Sequence, residues 1–461
     1  MNPYYGAIRD AFNHSKLADL TYPTQTQITN NDAHLPAWFK LSELATASIE
    51  TACSALTRLQ ASRMHSPSNY TIDQRLCNLW FGFSIKPIDF ELPDAWDEIA
   101  GDYPTKDGWI RLHTNASHHK TAALSVLKCA NTREAVALAV AQWHGHDLET
   151  AVVKAKGCAA KMNSIEQWRI HPQGKPLQNA PLIQWQFTAA PSTAKKMTTQ
   201  PNRPLADIKV LDLTRVLAGP VATRFLAGFG AQVLRLDPAH WDEPSLIPEM
   251  SLGKSCAEID LKSNAGKQRF IELLKDADVL VHGYRADALE KLGFSSKQLK
   301  EINPHLICAS LNAYGWQGPW KNRRGFDSLL QMSSGIAHYA MQQSASERPT
   351  PLPVQGLDHA TGYLLAAAVI QGIELREQHN LITQTQGSLA ATAQLLLSQP
   401  LQEKRVIEPT HANCSDDYIP YIEQTAWGSA HRLPFPVTFS AIDMKWPKGA
   451  QALRTSQACW Q

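Results

Sequence analysis

Residues 208–237, IKVLDLTRVLAGPVATRFLAGFGAQVLRLD, decide the fold. Residues 208–213 form a compact apolar run of strand character. TRVLAGP then turns the chain, 221–229 reads as an apolar helix, and 231–237 is a second apolar strand. The alternation continues with a helix at 264–276, a strand at 278–281, a helix near 286–292 and a strand at 306–311. Strands and helices in alternation predict an α/β fold, a doubly wound, Rossmann-like parallel sheet with helices on both faces. On such a sheet ligands lie beyond the carboxyl ends of the strands. The loops to inspect are therefore 214–220, 237–262, 282–287 and 311–327.

On either side of this core the character changes. Residues 1–187 mix a helical stretch, LSELATASIETACSALTRLQ, with a strand at 109–112 and helices at 133–143 and 148–157, which predicts a second, smaller α+β domain. TAAPSTAKKMTTQPNRP at 188–204 has too little apolar content to join a core and reads as a linker. The sheet domain is expected to span 205–378. Beyond it, 379–461 is polar and rich in proline, and the expectation is a wrapping tail that packs back on the first unit.

A length of 461 residues suits two domains. Lys and Arg total 44 against 42 Asp and Glu, a net charge of +2 with no run of one sign, so neither nucleic acid nor a membrane surface is indicated as a partner. The eight cysteines are scattered without a C-x-x-C pair, which indicates a reduced, cytoplasmic setting and no zinc site. The amino terminus lacks the pattern of a secretory signal. The longest apolar run, 363–373, is interrupted by Gln371 and falls short of the about 20 residues a membrane span requires.

Three motifs fail. Gly253-Lys254-Ser255 imitates the end of a phosphate loop, but Pro248 occupies the position of the earlier glycine. The turn TRVLAGP offers a single glycine, short of a dinucleotide fingerprint. His118-His119 lacks a spaced third ligand, and no metal is expected.

The stretch LDLTRVLAGPVATRFLAGFGAQVLRLD, followed by KSCAEIDLKSNAGKQRFIELLKDADVLVHGYRADALEKLGF, INPHLICASLNAYGWQGPW, GFDSLLQMSSG and LDHATGYLLAAAVIQGI, resembles the family III CoA-transferases, a group that includes formyl-CoA transferase, carnitine CoA-transferases and α-methylacyl-CoA racemase. The resemblance is collinear over about 205–378. GDYPTKDGWIRLHTN and SIEQWRIHPQG are similar to the family's small domain, which here stands before the sheet domain instead of after it.

The resemblance implies an enzyme that passes coenzyme A, as a thioester, from an acyl-CoA to a carboxylic acid acceptor. Its nucleophile is an aspartate at the start of the helix after the sheet, and Asp358 matches that position. It implies CoA contacts at Val216, Leu217 and Ala218 in the first turn, at Ile259 and Lys262, at Gly283 and Tyr284, and at Lys291 and Arg324. Arg215 stands where the family's transferases often carry another polar residue. The resemblance also implies a homodimer; the altered domain order leaves both an interlocked and a less entangled form open.

From its position alone Asp358 reads equally as a nucleophile and as a helix N-cap. A helix end favours an ionised carboxylate, and Gly356 and Gly362 are expected to let a bulky thioester approach the backbone. The racemase branch carries a histidine before the acid of the motif that here reads Gly325-Phe326-Asp327, and phenylalanine cannot act as a base. Asp327 reads as an orienting acid or as a turn residue. Where the family's transferases carry a glycine-rich loop, this chain has Thr114-Asn-Ala-Ser-His-His. That loop is either stiffer or lends Asn115 and His118 to the substrate. The alternative readings are an acyl-CoA racemase or epimerase, demoted by that phenylalanine, and a CoA-binding protein without turnover.

Overall fold

The computed structural model describes residues 2–13, 27–64, 68–191, 200, 202–285, 287–399 and 415–460. Of the expected linker, 192–199 and 201 lie outside these residues, as do 400–414 and 461 of the expected tail.

Seven strands form the main sheet: β1 (Ile183–Ala189), β2 (Lys209–Leu213), β3 (Gln232–Asp237), β4 (Lys254–Glu258), β5 (Val279–His282), β6 (Ile307–Asn312) and β7 (Leu381–Ser388). Their order is β4-β3-β2-β5-β6-β7-β1, parallel throughout except that β1 runs antiparallel to β7. The order reverses between β2 and β5, and this switch opens a crevice at their carboxyl ends. The helices that matter for the site are α1 (Leu41–Met64), α2 (Ser117–Leu127), α3 (Ala218–Gly228), α4 (Asp327–Ser333) and α5 (Gly356–His379). Among the described residues no helix is long and apolar enough to cross a membrane.

β2, β3, β5 and β6 read as apolar runs because both faces of the sheet are covered, whereas β4, KSCAE, buries Lys254 and Ser255 and carries no such signal in the sequence. α5 is buried on every side from Gly356 to Arg376 and lies between α1, α3 and the sheet. An apolar helix without a polar face fits only such a place. Its approach to α3 needs Gly362, since a Cβ there would stand 2.4 Å from Ala218 O and 2.8 Å from Val221 Cβ. A Cβ on Gly356 would meet Leu41 Cδ1 at 2.6 Å. The two glycines therefore serve helix packing, and the expectation that they open the backbone to a thioester is corrected.

The expected boundaries give way at two points. β7 belongs to the main sheet, so the sheet does not end at 378; and β1, together with α1, brings the first unit into the same apolar core as α3 and α5. What stands apart is a three-stranded antiparallel sheet of Gly101–Thr105, Gly108–Leu112 and Ala159–Lys161, backed by α2 and an apolar cluster that includes Tyr103, Ile110 and Leu148. Later chain does wrap the front half, since Val437–Phe439 pairs with Tyr70–Asp73 and Ser429–Arg432 with Ile85–Pro87.

Candidate active site

Asp358 is the third residue of α5 and is 7% exposed. The cap position belongs to Gln355, which makes no side-chain capping bond. The free amides of this helix end are taken by Asp327, the first residue of α4, whose carboxylate accepts from Asp358 N at 2.9 Å and from Leu357 N. Gln331 Nε2 donates to the same carboxylate at 2.5 Å and holds it in place. Asp327 is thus the acid that caps α5, and the N-cap reading of Asp358 is corrected.

The electrostatics follow from this exchange. Burial, and after it the charge of Asp327, push the Asp358 carboxyl well above the usual carboxylate range. Burial also raises Asp327, but its three donors favour its charge. Burial opposes charge on both carboxyls, and the three donors favour the negative charge on Asp327 over Asp358. The helix end therefore favours charge on Asp327, not on Asp358 as the sequence suggested.

Asp358 lies where two cavities meet. The first, about 390 Å³, opens at the sheet's switch point and is bounded by the turns after β2 and β5. The second, about 420 Å³, lies on the other side of Asp358, between the turn after β2 and the loops at 81–83, 94–97 and 241–246. Val216, Trp241, Phe326 and Asp358 line both.

The turn between them is strained and held. Val216 sits at φ 66°, a left-handed conformation that a β-branched side chain resists. Glu243 fixes it by accepting Val216 N at 2.8 Å and Trp241 Nε1 at 2.6 Å, while Arg235 Nη2 holds the other oxygen at 3.0 Å.

Four arginines line the first cavity: 215, 285, 323 and 324. Arg323 is committed to Glu149 at 2.8 Å and lies over the Trp320 ring at 3.9 Å. Arg215 lies over Trp241 at 4.4 Å and Tyr284 at 5.8 Å, and reaches Asp237 at 3.8 Å. Arg285 and the half-buried Arg324 have no carboxylate partner among the described residues. Burial and the charge of Arg285 depress Arg324. Two cations that repel each other in a crevice form a receptor for an anion.

Of the residues singled out from sequence, Val216, Ala218, Gly283, Tyr284, Arg324 and His118 line this first cavity. Leu217 lines the second. Three of the expected CoA contacts fall outside both. Ile259 is packed into the apolar cluster under the sheet, Lys262 is exposed beyond β4, and Lys291 points into solvent, paired with Asp287. Asn115 lines the second cavity, but its amide is used as a brace, accepting Asp97 N at 3.1 Å and donating to Ala95 O at 2.8 Å. Thr114 and Asn115 are thus braced against residues 95–97, and 117–119, expected as loop, are the first turn of α2. Sequence reasoning missed Arg285, Arg323, His240 and Trp241. Arg285 adjoins the Gly283-Tyr284 pair and was open to the same argument, whereas no local pattern marks Trp241 or His240.

The chain was compared with known proteins. The family model described as "CoA-transferase family III" matches residues 205–421. An "Acyl-CoA transferase" from Fusarium pseudograminearum is 28% identical over 50% of this chain and 54% of its own length. A "Probable fatty acyl-CoA transferase" from Mycobacterium tuberculosis is 31% identical over 40% of this chain and 49% of its own. The "Succinyl-CoA:glutarate CoA-transferase" of Homo sapiens is 32% identical over 37% of this chain and 42% of its own. The chain thus spans about half the length of the curated relatives it matches.

Proposed function

The chain belongs to CoA-transferase family III, and from that premise we propose that it transfers CoA from an acyl-CoA thioester to a free carboxylic acid, with Asp358 as the covalent carrier. An Asp358 oxygen attacks the thioester carbonyl carbon, the C–S bond breaks, and CoA leaves as the thiolate, giving an acyl-aspartyl anhydride. The thiolate attacks the aspartyl carbonyl and expels the first acid as a carboxylate, leaving an aspartyl-CoA thioester. The acceptor carboxylate then attacks that thioester, the thiolate returns to the acceptor's acyl carbon, and Asp358 is regenerated.

The observation that carries the reading is the position of Asp358 between two chemically different cavities. CoA is a polyanion with an adenine head, and Arg285 and Arg324 face the first cavity without carboxylates of their own. Tyr284 and Trp241, flanking Arg215, offer flat surfaces beside them. The acyl carbon then meets Asp358 at the boundary, with the acyl group in the second cavity. A carboxylate that is 7% exposed and accepts no hydrogen bond among the described residues is reactive once ionised. The human relative, a succinyl-CoA:glutarate CoA-transferase by name, is named for the same class of exchange, from a thioester to an acid.

Hydroxylamine trapping tests the proposal. Incubated with acyl-CoA and hydroxylamine, the protein is expected to acquire a hydroxamate at Asp358, read by peptide mass spectrometry. Asp358→Asn should bind CoA yet lose exchange by about 10³-fold or more. An unmodified Asp358 across a range of acyl-CoAs would leave a CoA-binding protein without turnover.

A further inference from the structure

Resting on Asp358 as the point where the thioester carbonyl lies, we infer that the second cavity selects an uncharged, apolar acyl group and discriminates against acids that carry a second carboxylate. The charges around Asp358 are segregated. All four arginines of the site line the first cavity; among the described residues no lysine or arginine lines the second.

The wall of the second cavity carries Phe81, Trp96, Trp241, Phe326 and Val354. Its two histidines add no positive charge. His113 stacks on Phe326 at 3.8 Å, and burial, then the charges of His119 and Arg111, hold it down to about 3. His359 stacks on Phe81 at 5.2 Å, and burial followed by Arg224 lowers it likewise to about 3. Both rings are neutral at physiological pH and behave as part of an aromatic lining.

The carboxylates present are either consumed or repulsive. Asp97 accepts Thr114 Oγ1 at 2.8 Å and pairs with Lys120. Glu243 is occupied by the amide of Val216, the indole of Trp241 and Arg235. Asp94 and Asp242 remain, exposed at the rim and without a cationic partner among the described residues. A second carboxylate on the substrate would pass these two negative charges and then lose its water against aromatic rings, with no lysine or arginine among the described lining residues to pair it. A branched alkyl or aryl end meets the opposite conditions. The volume of about 420 Å³ lies within the range of pockets that enclose ligands larger than a two-carbon acyl group.

An isosteric pair isolates the charge. 5-Methylhexanoyl and glutaryl groups have chains of the same length, ending in isopropyl and carboxylate respectively. As S-(2-oxoalkyl) thioethers of CoA, in which a methylene separates sulfur from carbonyl, neither can lose the thiolate, so calorimetry on the full chain reads binding alone. The isopropyl-ended analogue is expected to bind tighter by about 10²-fold. The double variant Asp94→Asn, Asp242→Asn should narrow the ratio at low ionic strength by improving the carboxylate-ended analogue several-fold. Equal affinities, or tighter binding of the carboxylate-ended analogue, would overturn the inference. The preference without a hydroxamate on Asp358 would support the pocket reading and remove the transferase; a hydroxamate with equal affinities would do the reverse.

Discussion

At the scale of single residues, the site turns on which of two acids owns the end of α5. Asp327 accepts the helix amides and Asp358 does not, so the second carboxyl is raised by burial and by the charge of the first. A nucleophile has to lose its proton, and activity should therefore rise with pH as Asp358 ionises. Replacing Asp327 with asparagine removes the repelling charge, which favours the ionised form of Asp358. The acid limb of the kcat/KM profile should then move to lower pH. The same change weakens the cap on α5 and should cost about 1 kcal/mol of stability. A profile that moves to higher pH, or stays in place, would show that Asp327 does not set the charge state of Asp358. None of this could be read from sequence. Asp358 was legible as the acid at a helix start, but its neighbour lies 31 residues away and meets it only through the packing of α4 against α5.

At the scale of elements, the crossing of α3 and α5 connects packing to the site. Gly362 faces the carbonyl of Ala218, the first residue of α3 and part of the turn that lines the first cavity. Alanine at 362 would gain about 1 kcal/mol of helix propensity. It would also place a methyl 2.4 Å from a backbone oxygen that has no rotamer to escape through. Overpacking of this kind costs about 1–3 kcal/mol before any compensation, and here the clash with fixed backbone decides the sign. Gly362→Ala should lower the urea midpoint and raise KM for the CoA thioester, because the start of α3 has to move. An unchanged midpoint would mean that α3 yields freely. Elements were legible where burial on both faces made them apolar, as in VLDL of β2 and QVLRLD of β3. β7 was missed because its sequence, LITQTQGS, satisfies a buried position with Thr383 and Thr385, whose hydroxyls hide the strand among polar residues. A terminal strand that joins the sheet after a long helix leaves no repeat to betray it.

At the scale of the whole molecule, one buried carboxylate ties together chain segments that are far apart in sequence. Glu249 accepts Ser84 N at 3.1 Å, Ser84 Oγ at 2.6 Å and Ile85 N at 3.0 Å, pairs with Arg224 of α3, and meets Arg432 at 2.9 Å. Arg432 in turn holds Glu423 at 2.8 Å. The loop so anchored leads directly into Phe81 and Phe83, two walls of the second cavity, so the late chain fixes the shape of a pocket built by the early chain. Burial alone would raise Glu249, but Arg224, Arg432 and Ser84 overrule it and hold it at about 2. A depressed folded pKa contributes stability above the unfolded value, near 4.5, and that contribution is lost as pH falls through 2. Glu249→Gln leaves two buried guanidinium groups without their shared anion and should cost about 3–5 kcal/mol at pH 7. The gap between wild type and variant should shrink when the same urea titration is run at about pH 3, inside the window where the wild-type carboxylate begins to cost a proton to keep ionised. A gap that stays constant between the two conditions would mean that Glu249 acts through shape and not through charge. If the gap closes and the acyl-side affinity weakens with it, then the clamp and the pocket are one device.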